Sequence, residues 1–171
     1  MPTTYTKIAD VVVGAGGAAT IDFTSIPQTF TDLVLKISVR STRNFGWDGL
    51  RLRFNGSSTG YSDLSLAGNG ATAFAFVNPF TGYIFVGDVN DAATTSNVFS
   101  NTEIYIPNYA SSNNKSLSVY SVEENNATTA QLDLVAGLWS NSSATTSLAI
   151  TVNAGNFVQH STATLYGIKN A

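Results

Sequence analysis

Apolar and polar residues alternate one by one along Asp32–Ser41, and this period of two is the feature that most limits how the chain can fold. In a strand the two kinds of residue would lie on opposite faces, Leu33, Leu35, Ile37 and Val39 on one and Lys36, Ser38 and Arg40 on the other. In a helix the same residues would spread apolar side chains around most of the circumference, and the β-branched residues favour a strand. The same alternation returns at 131–140 (QLDLVAGLWS) and at 147–153 (SLAITVN), so all three segments predict strands.

Eight further segments have the composition of short strands, and turn residues separate them. They are Ile8–Val13, Ala18–Phe23, Leu50–Asn55, Tyr61–Ala67, Tyr83–Val86, Asn101–Ile106, Leu117–Glu123 and Thr162–Ile168. Gly14–Gly17 predicts a hairpin between the first two of them, while Asn55-Gly56 and Asn69-Gly70 are strong turn dipeptides. No segment combines a helix start signal with a sustained period of 3.6 residues.

About ten short strands at this spacing predict an all-β fold. Our first expectation is an antiparallel β-sandwich of the jelly-roll type. An immunoglobulin-like sandwich is second, although its Cys–Trp–Cys marker is absent. The length fits a single domain over residues 1–171, in which we expect 1–6 to form an N-terminal arm and 68–97 a loop-rich insertion.

The composition holds few chemically reactive groups. The 171 residues include no Cys, one His and one Met, and only 11% are charged, against about a quarter in a usual soluble domain. We therefore expect a structural or binding module, not an enzyme, with no catalytic residues, no cofactor and no metal. A surface low in charge suits packing against other subunits, because charged groups would have to lose their water there. An ordinary secreted β-protein is the alternative explanation.

The charge balance and the hydropathy pattern bear on the partners. The net charge is −3, with 8 basic and 11 acidic residues, which argues against nucleic acid as the main partner. No run of 18 apolar residues occurs, so we expect no membrane span. The opening MPTTYTKIAD lacks a basic region followed by an apolar stretch, so we expect no signal peptide.

Two motifs that resemble chemical sites are better explained as structure. Gly14, Gly16 and Gly17 follow a strand, but their spacing is not G-x-G-x-x-G and the next segment predicts a strand, not a helix. His160 is the single imidazole, and no G-x-S-x-G motif accompanies it. A local hydrogen bond is therefore its expected role.

Acidic residues suggest two further possibilities. Asp88, Asn90 and Asp91 resemble a fragment of a calcium loop, without its glycine and distal glutamate, so weak calcium binding stays open. A pair of carboxylates could hydrolyse glycosides. The residues available for such a pair are Asp48, Asp63, Asp88, Asp91, Asp133, Glu103, Glu123 and Glu124.

Half of the basic residues are arginines within positions 40–53, and two aromatic residues lie among them. Arginine next to aromatic rings is the composition of an interface hot spot, and it also suits stacking on sugars or bases. We therefore predict a set of partner-contact residues: Arg43, Phe45, Trp47, Arg51 and Arg53. The alternative is that Arg40, Arg51 and Arg53 merely occupy the solvent faces of two neighbouring strands.

Four segments together resemble a group of small proteins encoded by tailed bacteriophages, especially aquatic ones. They read KIADVVVGAGGAATIDFTSIPQTFTDLVLKISVRS, LRFNG, EIYIPNYASSNNKSLSVYSVEENNATTA and AGLWSNSSATTSLAITVNAGNFVQHSTATLYGIK. The resemblance extends over 7–169, apart from 68–97. The group has no catalytic motif to carry over, so the resemblance implies a component of the virion, made in the host cytoplasm.

Three functions follow as hypotheses. The first is a head-decoration (cement) protein, a homotrimer that stabilises the head by binding over junctions between major capsid protein subunits and burying roughly 800 Å² per partner. The second is a tail- or fibre-associated module that recognises host sugars, with Trp47 or Tyr61 stacking on them. The third is a glycan hydrolase that uses two of the carboxylates above.

Overall fold

A computed structural model of the chain describes residues 4–79, 81–125 and 130–169, and twelve strands account for its regular structure. In chain order they are β1 (Tyr5–Val12), β2 (Thr20–Phe23), β3 (Asp32–Val39), β4 (Asp48–Phe54), β5 (Tyr61–Gly68), β6 (Ala73–Val77), β7 (Ile84–Val89), β8 (Ser100–Ile106), β9 (Lys115–Glu124), β10 (Ala130–Trp139), β11 (Leu148–Val152) and β12 (Thr162–Ile168). Within these described ranges no helix has the length and hydrophobicity needed to cross a membrane.

The strands form two packed antiparallel sheets. The larger sheet has the order β1-β12-β3-β8-β9-β10-β5-β6, and the smaller has the order β2-β11-β4-β7. An all-β antiparallel sandwich is thereby confirmed. A jelly roll has eight strands in two Greek keys, whereas this chain has twelve strands, so the jelly-roll assignment stays a prediction.

The core lies between the inner faces of the two sheets. Strand β5 shows the period of two directly, because buried and exposed residues alternate along its whole length. Trp139 stacks on Phe54 of the opposite sheet with ring centroids 5.3 Å apart. Tyr61 packs beside them at 6.2 Å from Trp139, and its hydroxyl accepts a hydrogen bond from the backbone of Phe54 at 2.9 Å. Because Tyr61 is only 3% exposed, it is a core residue and not a stacking platform for sugars.

Eleven of the twelve strands coincide with segments predicted from the sequence, and β6 is the exception. It lies within 68–97, the range expected to be a loop-rich insertion, which also contains β7 at the predicted strand Tyr83–Val86. Residues 1–3 of the expected N-terminal arm lie outside the described residues, and Tyr5 and Thr6 already belong to β1. The domain limits stay a prediction.

The glycine turn after β1 does not close a hairpin, so that prediction was wrong. The amide of Gly17 does donate to the carbonyl of Gly14 at 3.0 Å, which makes a tight turn. However, β1 pairs with β12 in the larger sheet, whereas β2 pairs with β11 in the smaller one. The turn therefore carries the chain from one sheet to the other, a distinction that depends on distant partner strands.

Candidate functional site: an aromatic cleft and an apolar sheet face

Arg43, Phe45 and Trp47 form one cluster in the loop before β4, in which the two rings are exposed and Arg43 is partly buried. The guanidinium of Arg43 lies over both rings, at 4.4 Å from the centroid of Phe45 and 5.3 Å from that of Trp47. The two rings meet edge to face at 5.6 Å, and they are 61% and 41% exposed. The loop thus presents a compact aromatic surface together with a cation, and its role as a contact site stays a prediction.

Buried carboxylates hold this loop in place. Asp91 accepts hydrogen bonds from the backbone amides of Phe45 and Gly46, at 2.8 and 3.0 Å, and its other oxygen accepts from that of Ala93. Asp48 is fully buried and accepts from the amide of Ala154 at 3.2 Å. Burial raises the pKa of Asp48, although the hydrogen bond that it accepts from Ala154 and the nearby Arg43 oppose the shift. The aromatic rings are therefore presented by a pre-organised backbone.

Arg51 and Arg53 lie at alternate positions of β4 and turn away from the core. The guanidinium of Arg51 sits 4.1 Å from the ring centroid of Tyr83, and it donates to the side chain of Asn153. Arg53 donates to the carbonyl of Gly82 at 2.9 Å. Both side chains thus brace the segment before β7, and their role as partner contacts stays a prediction.

Arg40 was wrongly placed on a solvent face in our alternative explanation. It is only 7% exposed, and its guanidinium donates to backbone carbonyls of Thr94, Thr95 and Val98 at 2.7–3.1 Å. Moreover, β3 and β4 belong to different sheets and are not neighbours. Arg40 is therefore a structural residue that anchors the loop between β7 and β8.

A cleft of about 560 Å³ opens beside β4, β6 and β7. Its lining combines five aromatic side chains with a few polar ones: Trp47, Gly49, Arg51, Phe74, Phe76, Asn78, Pro79, Tyr83, Phe85, Asp88, Gln131 and Asn153. Two predicted contact residues, Trp47 and Arg51, are among them. Arg43, Phe45 and Arg53 are not among the described lining residues.

One wall of the cleft is a row of phenylalanines. Phe74 and Phe76 occupy alternate positions of β6, with centroids 6.3 Å apart, and Phe76 contacts Phe85 of β7 at 5.6 Å. Asp63 fixes the spacing between these strands, because it accepts from the amide of Phe85 and from the side chain of Asn78, both at 3.1 Å. Burial raises the pKa of Asp63.

The inner end of the cleft is polar. The side-chain amide of Gln131 donates to Asp88 at 2.7 Å and to Asp133 at 3.1 Å. Burial, together with the like charges of the nearby Asp133 and Glu123, raises the pKa of Asp88 to about 8. The other oxygen of Asp88, Oδ1, is buried and has no hydrogen-bond partner among the described residues.

The described structure brings a single carboxyl group, that of Asp88, to the lining of the cleft. No three His, Cys, Asp or Glu side chains in the described part of the chain could together hold a metal ion. Asp88 is the only carboxyl group among the described residues that line the cleft, since Asp133 and Glu123 lie behind it at 0% and 2% exposure. Burial, with the neighbouring Asp91 and Asp133, raises the pKa of Glu123 to about 7.

The outer face of the larger sheet carries a second distinctive surface, which we call the apolar face. Its members project from β5, β6, β9 and β10 and are 39–69% exposed: Leu64, Leu66, Val77, Tyr120, Leu132 and Leu134. The strand register places Leu134 directly between Leu66 and Tyr120. On the other half of the same face polar residues take over, with Lys36 and Glu103 forming an ion pair.

The geometry therefore defines an all-β sandwich with an aromatic cleft and an uncharged apolar face. Comparison with protein-family models, with curated proteins and with solved structures finds no match to this chain.

Only part of this surface was anticipated from the sequence. Phe74 and Phe76 were missed because they lie in β6, which was not predicted, and Phe85 was missed because nothing in its predicted strand, Tyr83–Val86, marked it as a cleft residue. The apolar run Ala73–Val77 is a weak signal for β6, because it lacks the polar positions that mark a half-buried strand. Gln131 and Asn153 carry no signal of their own, since amide residues are abundant throughout the chain.

Proposed function

We propose that this protein is a structural subunit of a tailed-phage virion, most simply a head-decoration protein that packs against copies of itself and against the major capsid protein. The virion assignment is supported by the sequence resemblance. The geometric support comes from one observation, the apolar face on the larger sheet.

The apolar face has the character of an interface core. The centre of a subunit interface is apolar and poor in charge, while its rim is polar. Here Leu66, Leu134 and Tyr120 lie side by side in register, without a charged residue between them. Four strands about 4.8 Å apart make the patch roughly 15 Å wide, which suits the core of an interface of standard size.

The edge of the same sheet supports this proposal. Strand β6 is the last strand of the larger sheet, and among the described residues no other strand pairs with its outer side. Four of its five residues are exposed, and all five are apolar. An open apolar edge invites pairing with another chain. A second copy of this protein that covered the apolar face would be placed to cover this edge as well.

The oligomeric state in solution tests the proposal. We expect the purified protein to form a homo-oligomer, most simply a trimer, when its mass is measured by sedimentation velocity. Leu134→Lys should shift the protein toward monomer because it would bury a charge in the interface. Asn101→Lys is the matched control, since it adds the same charge to an exposed position on the polar half of the same face. A wild-type monomer at high concentration, or equal effects of the two variants, would contradict the proposal.

Location in the particle tests the virion assignment separately. A decoration protein is present in hundreds of copies, so it should give a strong band from dissociated particles and appear on the head in immunogold electron microscopy. A tail-associated module would be present in few copies and would label the tail. Absence from purified particles would refute any structural role in the virion.

A further inference from the structure

We propose that the cleft beside β4, β6 and β7 binds a neutral saccharide, with its rings against Trp47, Phe74 and Phe76 and its hydroxyl groups toward Asp88, Gln131 and Asn153. This binding site uses a different face of β6 from the self-association proposed above. Phe74 and Phe76 line the cleft, whereas Val77, at the alternate parity of the strand, belongs to the apolar face.

The shape and lining of the cleft fit a small organic ligand. Ligand sites are concave spaces of about 300–1,000 Å³, mostly apolar and aromatic, with a few convergent polar groups that set the orientation. The cleft holds about 560 Å³ and has this composition. Trp47 and Phe74 keep 41% and 38% of their surface exposed on its walls, so each ring has a face that a ligand can cover.

The polar groups favour a ligand rich in hydroxyl groups. A hydroxyl both donates and accepts a hydrogen bond, and it pairs with amide, carboxyl and guanidinium groups alike. Gln131, Asn153 and Arg51 bring amide and guanidinium groups to the cleft. Asp88 also has a buried oxygen, Oδ1, without a hydrogen-bond partner among the described residues, so the carboxyl group at the inner end has unused hydrogen-bonding capacity.

The charges favour a neutral ligand over an ion. An organic cation would be repelled by the guanidinium of Arg51, which lines the cleft. An organic anion would find only this one cation among the described lining residues, and Arg51 already contacts Tyr83 and donates to Asn153. Because its pKa is raised to about 8, Asp88 keeps its proton at neutral pH and can donate to a hydroxyl as well as accept from one.

Aromatic walls explain how such a ligand gains affinity. The C–H face of a pyranose ring is apolar and packs on an aromatic ring, which releases water from both surfaces. Phe76 is fixed between Phe74 and Phe85, at 6.3 and 5.6 Å, so the wall is built before the ligand arrives. Pre-organised walls reduce the entropic cost of binding.

Isothermal titration calorimetry with a defined panel tests the proposal. The panel consists of maltohexaose, cellohexaose, chitohexaose and, as an anionic comparison, hexagalacturonate. We expect at least one neutral hexasaccharide to bind with a Kd on the order of 0.1–1 mM. Phe74→Ala and Trp47→Ala should each weaken that binding by about tenfold or more, since stacking on one ring accounts for such a factor. Both residues are exposed, so thermal melting should show that the variants fold.

Two control variants make the outcome decisive. Tyr120→Ala removes an equally exposed aromatic ring from the apolar face and should leave saccharide binding unchanged. Leu134→Lys should likewise leave saccharide binding unchanged, even if this substitution disrupts the oligomer. The self-association proposal and the saccharide proposal can therefore fail separately. The proposal is overturned if no neutral hexasaccharide binds at 10 mM, if only hexagalacturonate binds, or if Tyr120→Ala weakens binding as much as Phe74→Ala does.

Discussion

Replacing Asp88 with Asn should make the stability of the protein markedly less sensitive to a rise in pH from 5 to 8. Asp88 is 7% exposed, and it lies near two other buried acids, Asp133 and Glu123. Ionising it would place a negative charge beside them with little water to screen it. Asparagine has nearly the same shape, can still accept the hydrogen bond from Gln131 and carries no charge at any pH.

The raised pKa sets both the sign and the size of the effect. A carboxyl group with a raised pKa keeps its proton in the folded protein at pH values where the unfolded chain has lost it. The stabilisation is therefore complete below the unfolded pKa, near 4, and is lost as the pH rises toward the folded pKa of Asp88, about 8. Between pH 5 and pH 8 this is about three pKa units at ~1.4 kcal/mol each, or roughly 4 kcal/mol of unfolding free energy.

Urea denaturation at a series of pH values, followed by tryptophan fluorescence, measures the effect. Wild-type stability should fall by several kcal/mol from pH 5 to pH 8, while Asp88→Asn should retain only the loss due to the other buried carboxyl groups whose pKa is raised, among them Glu123 with a pKa of about 7. Glu103→Gln is the control, because Glu103 pairs with Lys36 at an exposed position. Parallel pH profiles for wild type and Asp88→Asn would refute the argument that burial of Asp88 governs this dependence.

Two further predictions concern the packing of the core and the anchoring of a loop. In Gly137→Ala, the new Cβ atom would lie 2.9 Å from side-chain atoms of both Ile84 and Leu117. This overpacking should lower the free energy of unfolding, measured by urea denaturation, by about 1–3 kcal/mol. An unchanged denaturation midpoint would contradict the prediction. Arg40→Met keeps most of the buried aliphatic part of the side chain but loses the hydrogen bonds to the segment 94–98. Limited proteolysis and amide hydrogen exchange should therefore become faster in that segment before they do elsewhere. Protection of the segment equal to that in the wild type would argue against the anchoring role.

Strand identity was largely predictable because it is a local property. The alternation along Asp32–Ser41 predicted β3, and the burial of Leu33, Leu35, Ile37 and Val39 confirms which side faces the core. Strand β6 was not predicted from the sequence because it is a short edge strand, and such a strand constrains its sequence only weakly. Its residues alternate between Ala and Phe, which are both apolar, so they lack the polar half of the pattern.

The cleft was predictable only in part, because it is assembled from distant segments. The sequence pointed to Trp47 and Arg51 through the closeness of arginine and aromatic residues along the chain. It gave no reason to place Phe74 near Phe85, or Gln131 near Asp88, since residues 43 positions apart meet only when β7 packs on β10. The same holds for Arg40. Its sequence context suggested a surface arginine, whereas in the structure the segment 94–98 covers its side chain.

By itself, then, the sequence determined that the chain forms strands, that one face of most strands is buried, and that reactive side chains are scarce. These properties follow from backbone geometry and from the transfer of apolar groups out of water, both of which act residue by residue. Only the tertiary structure decided which sheet each strand joins, which glycine turn crosses between sheets, and which aromatic side chains share a cleft. Those outcomes depend on contacts between residues far apart in the chain, and no local pattern encodes them.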